Sequence, residues 1–484
     1  MNETKHYIQN LFTVKGIAVN QNRQNLFEDF VKNEANQQAV KTIVEQQSHL
    51  MDKWTIKNKV ADIIAEQLTI PNATVGKLYK VKIDFEELKL KDLTLMEWGG
   101  LEEIGLAFNK ETSTIEGTPN QSGELRFKLL FKIMGETEDA IPNEKIIPLV
   151  VNADPKTLWK DIPSKKEAPF WKKDDVKTFG KLGDKNIVVA SKRGRSHENV
   201  GSFRDDDFSF KYIEEIGWSV VAVADGAGSY SLSREGSRLA CNAVIDYFEK
   251  HMEEEAFQEF EQKIIEHGKS NDEHLLSEIE VLSKQILYKA VLFSHQQIKN
   301  LANQVQASSP QLFDNPKAKS VLDYFHSTLI FALFKKFDFG YVVMTFGVGD
   351  CPIAIINKEQ TETTLLNWLD VGEFGGGTRF VTQADIFHSQ EYPIASRFNF
   401  KIITDFSYLF LMSDGIYDPK FVVEANLEKH EKWLAFLKDL NGENEDNAKV
   451  EFSYENKKIA NQLSTWMDFW SPGNHDDRTL AVIF

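Results

Sequence analysis

Four apolar segments in the C-terminal two-thirds of the chain each adjoin an aspartate that stands beside a glycine or a second acid. They are WSVVAVADG with Asp225, YVVMTFGVGD with Asp350, SYLFLMSDG with Asp414 and HDDRTLAVIF with Asp476. Apolar runs bounded by turn residues are typical of buried strands. Carboxylates gathered at neighbouring strand ends repel one another unless cations lie between them. The pattern therefore predicts a site for hard cations, Mg²⁺ or Mn²⁺ rather than Zn²⁺ or Cu²⁺.

The acidic balance of the chain restricts its partners. Lys and Arg total 56 against 73 Asp and Glu, a formal charge of −17 over 484 residues. A surface of this sign repels nucleic acid and anionic membranes, so neither is expected as a partner. The two cysteines, Cys241 and Cys351, cannot form a disulfide framework. Because the sequence also lacks a signal pattern and a bilayer-spanning apolar run, we expect a cytoplasmic protein.

The composition and the spacing of apolar residues change along the chain, which predicts a multi-domain α+β protein. Residues 1–70 are predicted to form a helical region from apolar side chains at helical spacing, namely Leu26, Phe27, Phe30, Val31, Val60, Ile63, Ile64 and Leu68. Residues 153–178 are interpreted as a linker whose Trp159, Phe170 and Trp171 pack on a neighbouring domain. Residues 179–484 form the final domain, with long helices predicted at 252–265 and 273–305.

Residues 71–152 alternate short apolar segments with Gly, Pro, Asn and Asp, which is typical of strands joined by tight turns. The GL, GTP and SG elements of this region resemble the hallmark of an Ig-type bacterial β-sandwich domain. The residues that carry this resemblance are Gly105, Leu106, Ile115, Gly117, Thr118, Pro119 and Gly123. It implies an all-β Ig-like domain that serves as a binding or spacer module.

Six elements of the final domain occur in the order found in one enzyme family. The acidic run Asp205–Asp207 is followed by Asp-Gly with a helix of small residues, a Ser-Thr strand, Gly-Asp, Ser-Asp-Gly and a terminal D-x-x-T. This ordered set resembles the metal-dependent type 2C protein phosphatases over about residues 180–484. The first motif and the flap are similar to those of a bacterial subgroup, through Gly194, Ser196, His197, Gly201, Asp205, Asp206, Gly372, Glu373, Thr378, Phe380, Val381 and Thr382.

The resemblance implies a centre of two Mg²⁺ or Mn²⁺ ions, joined in bacterial members by a third. Asp225 would bridge two ions, with the Gly226 carbonyl as a further ligand. Asp414 and Asp476 would complete the shell of the first ion. Asp350 together with Asp414 would hold the third.

Two parts of the implied site leave alternatives open. In the acidic run, Asp205 is the candidate metal ligand and Asp206 the candidate for holding metal-bound water, with a shift by one residue also open. The family has an arginine near the first motif that binds the phosphate, a role suited to a bidentate donor. Here Arg195, Arg204 and His197 are the candidates for that role.

The implied activity is hydrolysis of phosphoserine and phosphothreonine in proteins by a metal-activated bridging hydroxide, without a covalent enzyme intermediate. A phosphorylated protein would be the substrate, and a cognate kinase the opposing enzyme in signalling. The implied fold of the final domain is an α-β-β-α sandwich. The alternative is a pseudophosphatase, which keeps this fold as a module that binds phosphoproteins without turnover. Loss of a metal aspartate would be its signature, and the core ones are all present.

Overall fold

The computed structural model of the protein describes residues 2–85, 90, 92–370, 377–390, 393–471, 473 and 475–484. The chain divides into two compact units, Met1–Leu158 and Trp159–Phe484. Among the described helices, none combines the length and the apolar character needed to cross a membrane.

Three helices open the first unit, as their apolar spacing predicts: α1 (Asn2–Val14), α2 (Gln24–Lys32) and α3 (Glu34–Ala65). The Asn33 side chain accepts hydrogen bonds from two backbone N–H groups of the first turn of α3, which fixes the start of that helix. Phe27 and Val31 are buried in a small core, whereas Leu26 and Phe30 are 66% and 46% exposed. The predicted apolar face of α2 is therefore half right, because the core receives only the side that carries Phe27 and Val31.

Short strands follow the helices, as the sequence pattern of residues 71–152 predicts. They are β1 (Ala73–Thr74), β2 (Tyr79–Lys82), β3 (Leu93–Gly99), β4 (Leu106–Asn109), β5 (Thr114–Gly117), β6 (Gly123–Ile133) and β7 (Asn143–Asn152). One sheet has the order β1-β7-β6-β3 and the other β2-β5-β4. Every second side chain of β7 is buried, from Lys145 to Val151, so one face of this strand lies on a core. The Ig-type assignment stays a prediction.

The end of α3 shares the core of these strands. Ile63 and Leu68 are buried in the same apolar cluster as side chains of both sheets. The ammonium group of Lys145 donates hydrogen bonds to the backbone oxygens of Ile63 (2.7 Å), Ile64 (3.1 Å) and Glu66. A cation at this position satisfies carbonyls that the helix end leaves without intrahelical partners. The helical region and the strands therefore form one packed body.

The second unit contains two larger sheets. Its strands are β8 (Asp175–Leu182), β9 (Lys185–Lys192), β10 (Asp207–Ile213), β11 (Trp218–Ala224), β12 (Leu329–Phe337), β13 (Gly340–Val348), β14 (Ile353–Asn357), β15 (Thr363–Leu365), β16 (Phe398–Ile403), β17 (Phe406–Met412) and β18 (Arg478–Ile483). Its helices are α4 (Arg195–Val200), α5 (Ser233–Asp246), α6 (Glu254–Ser270), α7 (Glu273–Ser308), α8 (Asp414–Phe421), α9 (His430–Leu440) and α10 (Ile459–Trp466). The helices predicted at 252–265 and 273–305 are confirmed as α6 and α7.

The two sheets pack face to face between layers of helices. One sheet has the order β10-β11-β12-β13-β16 and the other β15-β14-β17-β18-β9-β8. In β11, Val221 and Val223 face the core between the sheets, while Val220 and Ala222 face α5, α6 and α7. Helices α8, α9 and α10 cover the outer face of the other sheet. Burial on both faces explains the continuous apolar runs, and the predicted α-β-β-α sandwich is confirmed.

Residues 159–174, which we term the lead-in segment, open the second unit and lie against the rest of it. The Trp159 ring centroid is 4.7 Å from that of His475 and 6.4 Å from that of Trp470. Phe170 packs against the core beneath α5 and α7. Strand β8 begins at Asp175, inside the predicted linker. The aromatic side chains of this region are therefore docked, while the domain boundaries after residues 70, 152 and 178 stay predictions.

Candidate metal centre

Antiparallel register brings the predicted aspartates to the same ends of their sheets. In the five-stranded sheet, β10 begins where β11 ends, and β12 begins where β13 ends. In the six-stranded sheet, β17 ends beside the start of β18. Asp225 follows β11, Asp350 follows β13, Asp414 follows β17 and Asp476 precedes β18. Each sheet therefore contributes two of these carboxylates.

The central carboxylates lie close enough to perturb one another's ionisation across the two sheets. Burial, and then the carboxylates of Asp206 and Asp414, raise the pKa of Asp225 well above its usual value. Burial, and then Asp476, do the same to the pKa of Asp414. Burial and the neighbouring Asp477 raise the pKa of Asp206 to about 7. Ionising several buried carboxylates together is costly unless a cation compensates their charge.

Two carboxylate oxygens in this cluster have no hydrogen-bond partner within the described part of the chain. They are Oδ1 of Asp206 and Oδ1 of Asp414, and both atoms are buried. Leaving a buried polar atom without a partner costs about 1–3 kcal/mol, so such atoms are few in native proteins. Because the available donors are carboxylate oxygens, the residues fit a hard divalent cation such as Mg²⁺ or Mn²⁺.

The glycines of the two Asp-Gly pairs are needed for close packing around the cluster. A Cβ atom on Gly226 would lie 2.6 Å from the Asp205 backbone oxygen and 2.9 Å from that of Ser233. A Cβ atom on Gly415 would lie 2.0 Å from the Asp477 backbone oxygen. These contacts allow no side chain, so the glycines let the strand ends and the acidic loops approach one another.

Asp350 lies at the side of the cluster near the flap. Its Oδ2 accepts a hydrogen bond of 2.8 Å from the Thr378 hydroxyl. Burial raises the pKa of Asp350, and Asp418 adds to the effect. Asp418 stands one helical turn after Asp414 on α8, a spacing that the sequence shows but that we did not single out. Of the predicted flap residues, Gly372 and Glu373 lie outside the described residues.

His197 and Asp477 form an ion pair beside the cluster. Nδ1 of His197 lies 3.0 Å from Oδ1 of Asp477, and its Nε2 lies 3.9 Å from Oδ2 of Asp205. Burial alone disfavours the imidazolium, but Asp477, Asp205 and Asp476 together raise the pKa of His197 to about 10. Donor atoms of His197, Asp476 and Asp477 all lie within 4.8 Å of one another. The sequence pattern singled out Asp476 and missed the part played by Asp477.

Asp477 also fixes the loop that carries the acidic run. Its Oδ1 accepts a 2.6 Å hydrogen bond from the Gly194 N–H, and its Oδ2 accepts one from the Asp205 N–H. Despite burial, His197 and these backbone donors hold the pKa of Asp477 below its usual value. Asp477 is thus an ionised anchor between the first and last motifs.

The three acids of the run Asp205–Asp207 face different surroundings. Oδ2 of Asp206 lies 2.7 Å from the Thr479 hydroxyl, the threonine of the D-x-x-T motif. Asp207 pairs with Lys172 at 2.9 Å, and although burial opposes it, Lys172 and Arg204 lower the pKa of Asp207. Burial and Asp477 raise the pKa of Asp205 to about 7. This geometry favours Asp205 and Asp206, rather than Asp207, as members of the site.

The two arginine candidates for binding the phosphate donate hydrogen bonds mainly to backbone oxygens. Arg204 is 2% exposed and donates to the Lys173 backbone oxygen at 2.9 Å, to the Ser191 hydroxyl and to the Asp206 backbone oxygen. Arg195 donates to the backbone oxygens of Asp468 and Phe469 at 2.6 and 2.9 Å. These contacts favour a structural part for both arginines, so His197 is the one of the three candidates that faces the carboxylates of Asp205 and Asp477.

A sequence profile described as protein phosphatase 2C matches residues 193–467, which is more than half of the chain. The chain belongs to the protein phosphatase 2C family. It is accordingly a protein serine/threonine phosphatase and a hydrolase, and the sandwich of the second unit is the fold of this family. The match begins at Arg193, just before α4, and includes Asp205, Asp225, Asp350 and Asp414.

Solved structures with similar folds carry phosphatase descriptions, but their likeness is too distant to add to the family match. A serine/threonine phosphatase from S. agalactiae is 15% identical, with 62% of this chain and 98% of that chain covered and a TM-score of 0.35. One from Staphylococcus aureus is 14% identical, with 64% and 96% covered and a TM-score of 0.33. A catalytic domain described as a complex with 2 manganese ions is 14% identical, with 61% and 96% covered and a TM-score of 0.35. No curated protein matches the chain.

Proposed function

We propose that this type 2C phosphatase uses divalent cations to hydrolyse phosphoserine and phosphothreonine in a protein substrate. The observation that carries the proposal is the pair of buried oxygens without partners, on Asp206 and Asp414, inside a group of carboxylates that disfavour one another's charge. Divalent cations would remove both costs at once. We further propose a cytoplasmic location, a cognate kinase that phosphorylates the substrate, and neither nucleic acid nor membrane as a partner.

The carboxylates divide naturally between the expected ions. Asp206 and Asp414 both raise the pKa of Asp225, so Asp225 lies near both and suits a ligand shared by two ions. Asp476 likewise raises the pKa of Asp414 and is assigned to the first shell, with the Gly226 carbonyl as the further ligand that the family resemblance implies. Asp205 is assigned to the second ion.

A third ion is assigned to the flap side of the centre. There Asp350 adds to the perturbation of Asp414, so the two carboxylates are neighbours. Asp418 contributes to the raised pKa of Asp350 and extends the acidic surface. Mg²⁺ keeps several waters and needs only one or two carboxylates, so Asp350 and Asp414 suffice as its protein ligands.

Bound divalent cations would lower the pKa of a water molecule and neutralise the phosphoryl oxygens. Two side chains of the protein then have direct tasks. Asp206, oriented by Thr479, accepts a hydrogen bond from the attacking water. His197, kept as the imidazolium by Asp477, donates from Nε2 to a phosphoryl oxygen. Because the attacking group is water, the reaction needs no nucleophilic side chain. The two cysteines are not suited to that role, since both are buried and burial raises the pKa of each thiol, which keeps it neutral.

Assay of the purified protein on a phosphoserine peptide, with EDTA or with Mn²⁺, tests this proposal. We expect turnover only with Mn²⁺, and we expect D225N to lower kcat/KM at least about a hundredfold because a shared ligand is worth several kcal/mol. Asp338, exposed between β12 and β13, provides the matched control, since D338N removes the same charge away from the site. Turnover that persists in EDTA, or that D225N leaves intact, contradicts the proposal.

The pseudophosphatase alternative predicts a different outcome in the same assay. It requires the phosphopeptide to bind without turnover at any Mn²⁺ concentration. The family membership and the convergence of the predicted aspartates both favour the enzyme. Measuring peptide binding by fluorescence anisotropy beside turnover separates the two functions.

A further inference from the structure

The lead-in segment contacts several of the segments that lie beside the candidate metal centre. The Ile162 N–H donates to the Glu198 backbone oxygen at 2.9 Å. Arg234, at the start of α5, donates to the backbone oxygens of Pro169 and Phe170 at 2.7 and 3.2 Å. Trp159 packs on the aromatic side chains that precede Asp476. The segment lies before residue 193, outside the range of the family match.

Lys172 is the residue of this segment that reaches the acidic run. Its side chain is 10% exposed, and burial lowers its pKa although Asp207 opposes the change. The ammonium group lies 2.6 Å from the Asp206 backbone oxygen, 3.4 Å from that of Asp205 and 2.9 Å from Oδ2 of Asp207. It also lies 3.0 Å from the Arg234 backbone oxygen and 3.3 Å from the Ser237 hydroxyl.

One ammonium group therefore joins the acidic run to the start of α5. The backbone oxygens of consecutive residues, Asp205 and Asp206, both point at Nζ, and the Ser237 hydroxyl donates to the Asp205 oxygen as well. Without a cation, partial negative charges would face one another in a buried space, and the run would relax. Because the carboxylates of Asp205 and Asp206 are attached to this same stretch of backbone, any such movement displaces them.

We propose that Lys172 is a positioning residue for the metal centre. It holds the backbone of Asp205 and Asp206 so that their carboxylates converge with Asp225, and its loss weakens binding of divalent cations. This inference rests on the proposed function, since it presumes that these carboxylates bind the ions. Through Lys172, the lead-in segment would therefore contribute to metal binding by the catalytic domain.

The adjacent Lys173 provides a matched control, since its side chain is exposed and only its backbone oxygen is used, by Arg204. The full-length wild type, K172M and K173M are compared by calorimetric titration with Mn²⁺ in the absence of substrate. We expect K172M to weaken Mn²⁺ binding at least tenfold and K173M to stay within twofold of the wild type. Turnover at saturating Mn²⁺ should fall for K172M, with KM for the phosphopeptide within about threefold.

Thermal unfolding in EDTA separates positioning from a merely structural role. A structural role alone lowers the Tm of K172M and leaves its Mn²⁺ affinity and KM unchanged, which would overturn the inference. If K172M does not yield folded protein, K172Q keeps two N–H donors without the charge, and wild-type Mn²⁺ affinity in K172Q would equally overturn it. A wild-type protein that binds no Mn²⁺ would instead refute the proposed function itself.

Discussion

Replacing Arg397 with methionine should destabilise the second unit by about 3–5 kcal/mol, the cost of removing one partner of a buried ion pair. The Arg397 side chain is 0% exposed and that of Asp370 is 4% exposed. Their contact is bidentate, with Nη1 2.5 Å from Oδ2 and Nη2 2.8 Å from Oδ1. Among the described residues, the donor that Asp370 keeps in R397M is the Gly349 N–H at 2.8 Å, and its buried charge loses the opposite charge beside it.

This ion pair also supports the candidate metal centre. The Gly349 N–H donates to Asp370, and the Asp370 N–H donates to the Gly349 backbone oxygen at 2.8 Å. Gly349 directly precedes Asp350, so the pair fixes the turn that presents this carboxylate. We therefore expect R397M to require a higher Mn²⁺ concentration for half-maximal turnover, in addition to losing stability.

Urea unfolding in EDTA, followed by tryptophan fluorescence, measures the effect. Most of the tryptophans lie in the second unit, at positions 159, 171, 218, 368, 433, 466 and 470, so the signal reports mainly on that unit. The control is K336M, which removes the 3.5 Å ion pair between Lys336 and Asp184. These two side chains are 58% and 41% exposed, and exposed ion pairs contribute about 0.2–1 kcal/mol to stability. The double variant D370N/R397M should be more stable than R397M, because no buried charge is left unpaired. A loss below about 1 kcal/mol in R397M, or no recovery in the double variant, would refute the reasoning.

Two further predictions concern the centre itself. G226A should lower stability by about 1–3 kcal/mol by overpacking and abolish most turnover, because its Cβ would meet the Asp205 oxygen at 2.6 Å. The control is G180A, since Gly180 has open space around it and no positive φ. Normal turnover in G226A would contradict the packing argument. In EDTA the protein should lose stability as pH rises from about 4 to about 7. The folded state raises the pKa of Asp205 and Asp206 to about 7, so between these pH values it binds more protons than the unfolded state. For each group, the free energy of unfolding should fall by at most about 1.4 kcal/mol per pH unit. Urea midpoints measured at pH 5, 6, 7 and 8 test this, and excess Mn²⁺ should remove the fall; a midpoint that rises with pH in EDTA would show that these carboxylates are not buried together.

The buried strands of the second unit were predictable from their continuous apolar runs, whereas their arrangement in an α-β-β-α sandwich was implied by the family resemblance. Strand β11 is apolar at every position but Ser219, since alternate side chains face the helices and the other sheet. Its neighbours in an antiparallel sheet begin and end at the same level, so acidic residues at adjacent strand ends lie near one another. Asp225 and Asp414 follow strands of different sheets, so their place in one centre was implied by the family resemblance rather than by strand register.

Residues whose part depends on distant contacts were not predictable. Lys172 and Lys173 are chemically equal neighbours in a lysine-rich stretch, and only the fold decides that one is buried beneath the acidic run. Asp477 was read as part of an acidic strand tip, because its contacts with His197 and Gly194 span almost the whole catalytic domain. On α2, the periodicity gave the helix but could not show that Leu26 would remain exposed.

Strand β18 lies in the interior of its sheet, between β17 and β9. Both neighbours precede it in the sequence, and β9 lies near the start of the second unit. The pairing of β18 with β9 therefore joins distant parts of the chain, and long-range pairings of this kind form slowly. Because Asp476 and Asp477 stand directly before β18, we expect the candidate metal centre to assemble only when this pairing is complete.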